Sequence, residues 1–229
     1  MASKKRLDVV RLGLVAYPQA SELQNLLVEK RRAGVIGNTL ISLQHPPTFT
    51  VGKRKTLHNL LASPATLASL GAEVHISERG GDITFHGPHQ AVLYPIIALN
   101  ELKLGARRYV EGLEDTMIKA AAIYGVKARG RFSKRTGIWV EDRKLGAIGV
   151  RISSGSITSH GLAFNIDLDL EFFSHIVPCG IPDKEVTSLR KESSVPLPEE
   201  DVVTEQLIDC FVDVFNFEKY YRELDEIGA

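Results

Sequence analysis

Apolar positions along the chain switch between a spacing near 3.6 and a spacing of two, and the switches mark out its elements. Ser21-Glu22-Leu23-Gln24 has the form of a capping box, followed by Leu26, Leu27 and Val28, which predicts a helix from there to a stop at Gly34. Thr39-Leu40-Ile41-Ser42-Leu43 reads as a strand ended by His45-Pro46-Pro47, because proline has no N–H for a ladder. Thr48 to Val51 reads as the next strand. Ser63 and Pro64 supply the N-cap and first position of a short helix that Gly71 closes. Glu73 to Ser77 is a predicted strand, and Asp82 to Phe85 and Val92 to Ile97 are predicted strands around a Gly/Pro/His turn. Val110, Leu113, Met117, Ile118 and Ala121 give Arg108 to Tyr124 a helical face. Gly137 to Val140 and Leu145 to Ile152 read as strands joined across Glu141-Asp142-Arg143, and Ile157 to Ile166 as a third strand after Ser153-Ser154-Gly155-Ser156. A final amphipathic helix is predicted over Asp201 to Phe217, with Cys210 in its apolar face as a core residue.

This order is not a regular strand–helix alternation. It predicts an α+β fold with a mixed, mostly antiparallel sheet flanked by helices. No repeat or boundary divides the chain, so 1–229 reads as a single domain, with 1–6 as a short basic tail and Lys191 to Glu200 as a surface connection.

Composition narrows the function classes. Lys+Arg and Asp+Glu balance at 28 each, so no global field draws the chain to nucleic acid. The longest apolar runs, such as Ala91 to Leu99, are too short and too interrupted to span a bilayer. Two cysteines form no disulfide framework and fit a reducing compartment. Locally, Lys127 to Arg135 carries five cations and no acid, which reads either as a solvated loop or as a docking patch for an acidic partner. Met1-Ala2-Ser3-Lys4-Lys5-Arg6 is too short and polar for a secretory signal and reads as the remnant or the minimal form of an organellar targeting segment.

Four segments carry candidate chemistry. In His175-Ile176-Val177-Pro178-Cys179-Gly180-Ile181 a thiol stands between Pro178, which fixes its own φ, and Gly180, which lacks a crowding Cβ. Such a cysteine is either a small buried apolar residue or a nucleophile, and the heptapeptide alone does not choose. The stretch Arg79-Gly80-Gly81-Asp82-Ile83-Thr84-Phe85-His86-Gly87-Pro88-His89-Gln90 combines close backbone approach at Gly80-Gly81, an anion- or carbonyl-binding arginine and a proton-shuttling histidine; the plain alternative is a hairpin with an ion-paired arginine. Lys144-Leu145-Gly146-Ala147-Ile148-Gly149-Val150 offers a strand surface of small residues for an acyl chain. Lys144 leads into it; a lysine beside a cysteine favours the thiolate and can later act as a base, whereas an isolated one is usually a surface lysine at a strand start. In Ser159-His160-Gly161-Leu162-Ala163-Phe164-Asn165, alternation places His160 and Leu162 on one face and Gly161 and Ala163 on the other. No metal-ligand spacing, P-loop, dinucleotide fingerprint or serine elbow is present, and His45, His58 and His75 have no evident partners.

Together these motifs resemble the lipoyl(octanoyl) transferase family, from His45-Pro46-Pro47 through Val186-Thr187-Ser188-Leu189. The resemblance implies the fold of the biotin/lipoate protein ligases, no cofactor and no metal. It implies transfer of an octanoyl group from octanoyl-acyl carrier protein to a lysine of lipoyl domains, those of 2-oxoacid dehydrogenase complexes and the glycine cleavage H protein. Cys179 matches the acyl-thioester nucleophile and Lys144 the lysine that activates it. Arg79, Gly80, Gly81, Asp82, Ile83, Thr84, Phe85 and His86, with Ala147, Ile148, Gly149, Gly161, Leu162 and Ala163, match the acyl-binding segments. His89 stands where many members have Gly, and Gln44 where many have an acid. Both variants, with Gly81-Asp82-Ile83-Thr84-Phe85, resemble the plant mitochondrial branch and imply a mitochondrial location. A monomer is expected, since no amphipathic helix is left over. The competing expectations are an ATP-dependent lipoate ligase on the same fold, a cysteine hydrolase with water as acceptor, and a non-catalytic carrier-binding adaptor.

Overall fold

The computed structural model describes residues 4–133, 135–177 and 185–227. The chain opens with strand β1 (Lys5–Leu14) and helix α1 (Tyr17–Arg32), followed by β2 (Asn38–Gln44) and β3 (Thr48–Val51). Next come α2 (Pro64–Ser69), β4 (Glu73–Ile76), β5 (Ile83–His86), β6 (Gln90–Ile96) and α3 (Ala106–Ile123). The second half contains β7 (Ile138–Val140), β8 (Arg143–Ile152), β9 (Thr158–Asn165), β10 (Glu185–Val186), α4 (Leu189–Glu192), α5 (Glu200–Val214) and β11 (Phe217–Tyr221).

Two sheets result. The large one has the order β10-β8-β9-β6-β2-β1-β11, with β7 also paired to β8; the small one has the order β4-β3-β5. The centre of the large sheet, β8-β9-β6-β2, is antiparallel, and its flanks are parallel pairs. One face is closed by α3 and α5, whose Leu113, Met117, Leu207 and Phe211 are fully buried against Leu93, Leu145 and Phe164. Each such side chain contributes roughly 1.5–3 kcal/mol on burial. The other face packs Val10, Ile41, Val92 and Tyr94 against Ala20, Leu27 and Val28 of α1.

Most predicted elements are present, and four differ. The first helix starts at Tyr17, four residues before the capping-box serine, with Pro18 in the first turn where its missing N–H is not needed; Ser21 lies inside the helix. Lys5 and Arg6, expected in a tail, begin β1 and pair with Phe217 and Glu218 of β11. The last helix ends at Val214, and Asn216, at φ 55°, turns the chain so that Phe217 enters a strand. Most consequential for the site, β5 and β6 do not form a hairpin: β5 pairs with β3 in the small sheet, and β6 pairs with β2 and β9 in the large one. The Gly87-Pro88-His89 turn carries the chain from one sheet to the other and leaves a space between them.

Candidate active site

The small sheet alternates cleanly. Phe49, Val51, Ile83 and Phe85 pack with Leu168 and Ile176 on one side, and Phe85 stacks on Phe172 at 4.3 Å between ring centroids. Thr84 and His86 turn the opposite way onto a cavity of about 280 Å³. That is near the lower end of small-molecule pockets, about 300 Å³, and suits a slender ligand. Phe85 was expected in the acyl-binding segment; its side chain belongs to the apolar cluster behind the sheet and does not line the cavity.

The remaining predicted binding residues are brought together. Arg79 to Thr84 and His86 face Lys144, Ala147 to Gly149 and Gly161 to Ala163 across the cavity. Gly80 N–H donates to the Val150 carbonyl at 2.9 Å, clipping the Arg79 loop onto β8. Gly149 makes that approach possible, since a Cβ there would lie 2.8 Å from Arg79 Cδ and 3.1 Å from the Gly80 oxygen. Gly161 is more constrained, with an added Cβ 2.2 Å from the Leu93 carbonyl oxygen. The buried Arg79 guanidinium donates to the Thr50 carbonyl at 2.7 Å, to Thr50 Oγ1 at 2.9 Å and to the Gly80 carbonyl at 3.1 Å, so it braces the loop to β3.

Two irregularities aim the polar side chains. Between β7 and β8 the register slips, with Ile138 opposite Gly146 but Trp139 opposite Lys144, so Leu145 is an extra residue. Strict alternation would send Lys144 and Ala147 to opposite faces; the bulge puts both on the cavity and keeps Leu145 in the core. Lys144 is buried, with Nζ 5.4 Å from the centroid of the Trp139 ring. In β9, His160 has φ 55°, and its ring meets Tyr94 at 5.9 Å on the α1 side, whereas Leu162 packs in the α3/α5 core. His160 and Leu162 therefore do not share a face, contrary to the alternation. The displaced His160 N–H donates to Gln24 Oε1 of α1 at 2.6 Å.

The floor of the site is a cluster of which motif reading found His86 and His160 but missed His45, Tyr94 and Tyr17. His45, read as partnerless, bonds the Val15 carbonyl through Nδ1 at 2.7 Å, which leaves Nε2 to accept from the Tyr94 hydroxyl at 2.8 Å. His86 Nδ1 donates to Gln90 Oε1 at 2.7 Å; Gln90 in turn donates to Asn165 Oδ1, and Asn165 to the Thr187 carbonyl. Tyr17 donates to Ser77 Oγ and stacks against His75, whose Nε2 meets Glu73. Burial lowers the pKa of His45 to about 4 and that of His160 to about 3, and pushes His86 well below the ordinary histidine value, with the nearby Arg79 charge adding to the last two. All three rings are neutral at physiological pH and hence weak bases. The His45 and His160 rings meet partners remote in sequence, so no local pattern marks them, whereas His86 finds Gln90 four residues on.

The two departures from the family pattern form one unit. His89 stands at φ 65°, a left-handed conformation that explains a glycine elsewhere. Its N–H donates to Gln44 Oε1 at 2.8 Å, its ring pairs with Glu200 at 2.7 Å, and Gln44 also donates to Glu200. This latch ties α5 to the turn between the sheets and does not line the cavity. Asp82 is a brace as well, accepting from Asn59 Nδ2 at 3.0 Å and from the Ile83 N–H at 2.6 Å. In the basic stretch, Arg131 pairs with Asp115 and Arg135 with Asp142; Lys134 lies outside the described residues. Cys210 is half-buried against the α3/α5 core, where burial raises its thiol pKa. Cys179, with Pro178 and Gly180, lies outside the described residues. The chain before it is anchored where Val177 N–H donates to the Asn59 carbonyl at 2.8 Å. The chain after it is anchored where Val186 pairs with Lys144. Among the described residues no His, Cys, Asp and Glu group is arranged to hold a metal, and no helix is long and apolar enough to cross a membrane.

Comparison with known proteins identifies the family and the fold. Residues 16–216 match the lipoyl protein ligase A/B catalytic domain. The chain is 59% identical over 218 residues to the mitochondrial octanoyltransferase LIP2 of Arabidopsis thaliana, covering 95% of this chain and 92% of that one. It is 50% identical over 194 residues to an octanoyltransferase of Rubrobacter xylanophilus, covering 84% and 86%. Among solved structures, a putative lipoate protein ligase of T. acidophilum with bound lipoic acid superposes with a TM-score of 0.75 at 13% identity, over 98% of this chain and 91% of that one. Lipoate-protein ligase A bound with ATP gives the same score at 12% identity, over 98% and 91%. The fold is thus that of the lipoate and biotin ligases, and the chain belongs to the lipoyl protein ligase A/B catalytic family, within it to the octanoyltransferases, acyltransferases of protein lipoylation.

Proposed function

We propose that the chain takes its octanoyl group from octanoyl-acyl carrier protein as a thioester on Cys179 and passes it to a lysine of lipoyl domains. The observation that carries this reading is the cavity wall: Lys144, buried and re-aimed by a bulge, beside the small surface of Ala147, Gly149 and Ala163. The chain is fixed at Asn59 and at Lys144 on either side of the Cys179 segment. The Cys179 thiolate attacks the thioester carbonyl, and the tetrahedral oxyanion is held by backbone amides of the glycine-rich segments, each worth about 3 kcal/mol of barrier. The carbon–sulfur bond to the carrier breaks, and the departing thiolate takes a proton from the Lys144 ammonium. The acceptor amine then attacks the enzyme thioester and gives its proton to Lys144 as the Cys179 thiolate leaves. The buried neutral histidines are poor bases, so proton transfer falls to Lys144. Arg79, Gly80, Gly81, Thr84 and His86 shape one wall around the acyl chain, and Ala147 to Gly149 with Gly161 to Ala163 the other. The acceptors are the lipoyl domains of 2-oxoacid dehydrogenase complexes and the H protein of glycine cleavage, met by a monomer in mitochondria. Intact-mass measurement after mixing with octanoyl carrier protein tests the central step. One octanoyl adduct is expected without ATP and none in Cys179→Ala; an adduct that persists in that variant overturns the assignment.

A further inference from the structure

Besides Lys144 and Arg79, two cations line the cavity: Arg135, from the basic stretch the sequence singles out, and Arg54, from outside it. Arg131 and Arg135 are already paired within the molecule. Lys53-Arg54-Lys55, the turn after β3, is exposed, and among the described residues none of its three side chains has an ion-pair partner. Arg54 lines the cavity. Leu57 and Leu61 follow with 49% and 60% of their surface exposed. The segment is nevertheless held in place. Lys53 N–H donates to the Arg79 carbonyl at 3.0 Å, Lys55 N–H to the Gly52 carbonyl at 2.9 Å, and Leu61 N–H to the His175 carbonyl at 2.8 Å. Asn59 is anchored to Asp82. Consecutive unpaired cations do nothing for folding, but they steer and orient an anionic partner, and fixed exposed leucines beside them supply apolar contact.

We infer that residues Lys53 to Leu61 form the docking surface for the acidic carrier protein that delivers the acyl group. This rests on the carrier-thioester reading above. The donor fits this surface better than the acceptor does. A carrier's acyl thioester sits on an arm bearing a phosphodiester anion, and Arg54 stands where that arm enters. The acceptor brings a lysine to the same opening, and a cationic rim repels it. The surface is also continuous with the wall of the cavity, through Arg54 in the lining and the Lys53 N–H bond to the Arg79 carbonyl.

The test is the double variant Lys53→Glu/Lys55→Glu, whose altered side chains are exposed and away from the cavity wall. With octanoyl carrier protein as donor, KM should rise about tenfold, because two attractions become repulsions. The fall in rate with added salt seen for the unaltered protein should flatten. Transfer from octanoyl-pantetheine, a neutral donor without the protein, and KM for the lipoyl domain should stay as they were. Unchanged carrier kinetics overturn the inference, as does an equal loss with octanoyl-pantetheine. A rise confined to the lipoyl-domain KM assigns the surface to the acceptor. An unaltered protein that accepts octanoyl-pantetheine but not the carrier thioester defeats the donor reading itself, independently of the variant.

Discussion

The two faces of the large sheet solve burial in opposite ways. Beneath α3 and α5, Leu113, Met117, Leu145, Phe164, Leu207 and Phe211 fill space with apolar volume, and few polar groups, such as Thr116 and Glu114, are buried beside them. On the other face, at the β8–β9 end, the strands carry Ala147, Gly149, Gly161 and Ala163, and the groups around them are Arg79, Lys144 and three histidines. There burial is tolerated because hydrogen bonds tie His45 to Tyr94 and the Val15 carbonyl, His86 to Gln90 and Arg79 to Thr50, and the small residues preserve a cavity. The first face stabilises the fold. The second spends stability to hold polar groups in fixed positions, which a site for acyl transfer requires.

The sharpest separation should come from truncation on the dry face. Phe211→Ala is expected to cost about 4 kcal/mol, from lost transfer energy plus the hole left behind. It should lower the urea midpoint while leaving the transfer rate per folded molecule unchanged; a rate loss at full stability would show that the two faces are coupled. Gly161→Ala is the counterpart on the wet face. Its new Cβ meets a backbone oxygen at 2.2 Å, so β9 must shift away from β6. About 3 kcal/mol is expected from such overpacking, and transfer should fall with it because the cavity wall moves.

The same asymmetry governs what could be read beforehand. Period-two patterns gave β3 and β5 their faces: Thr48-Phe49-Thr50-Val51 and Ile83-Thr84-Phe85-His86 state which residues go to the core. Applying that alternation inside the Arg79–Gln90 block separates Phe85 from Thr84 and His86; reading the block as one motif hides it. β1 and β11 escaped because they pair residues from opposite ends of the chain, Lys5 with Phe217, and their alternation is diluted by charge. The bulge at Leu145 and the left-handed His160 carry no local signature, since each is dictated by a neighbouring strand. The motifs were legible in sequence, but the aim of Lys144 and His160 was not.

Acid should unsettle the wet face selectively. His45 and His160 have folded pKa values of about 4 and about 3, below the value near 6.5 of an unfolded histidine, so the unfolded chain binds more protons between those limits. Their contribution is fully present above pH 6.5 and declines as pH falls towards 4 and 3. By pH 5 each should have cost about 2 kcal/mol. Urea midpoints at pH 7, 6 and 5 should fall accordingly, and His160→Asn should make the decline shallower. A flat profile would mean that the cluster admits charge in the folded state.

The smallest expected effect on stability tests how the dry face supports the wet one. Glu114, buried on α3, accepts the N–H of Arg131 at 2.9 Å and the N–H of Gly137 at 3.0 Å, closing the loop that carries Arg135 and Thr136 onto the cavity. Gly137 has φ 117°, and a Cβ there would lie 3.0 Å from Lys144 Cε and 2.4 Å from the Gly146 carbonyl oxygen, so the position of the loop sets the room available to the lysine. Burial raises the carboxyl pKa of Glu114, which means its charged form is held at a cost in the fold. Glu114→Gln removes that cost but can accept only one of the two N–H groups and opposes the other with its own NH₂, so the net stability change should be about 1 kcal/mol or less. The loss should appear instead as a several-fold drop in kcat, unchanged KM for the acyl donor, and faster hydrogen exchange at the Gly137 amide. Normal kcat together with fast exchange at that amide would show that the loop and Lys144 are independent, and that the two faces of the sheet meet nowhere in function.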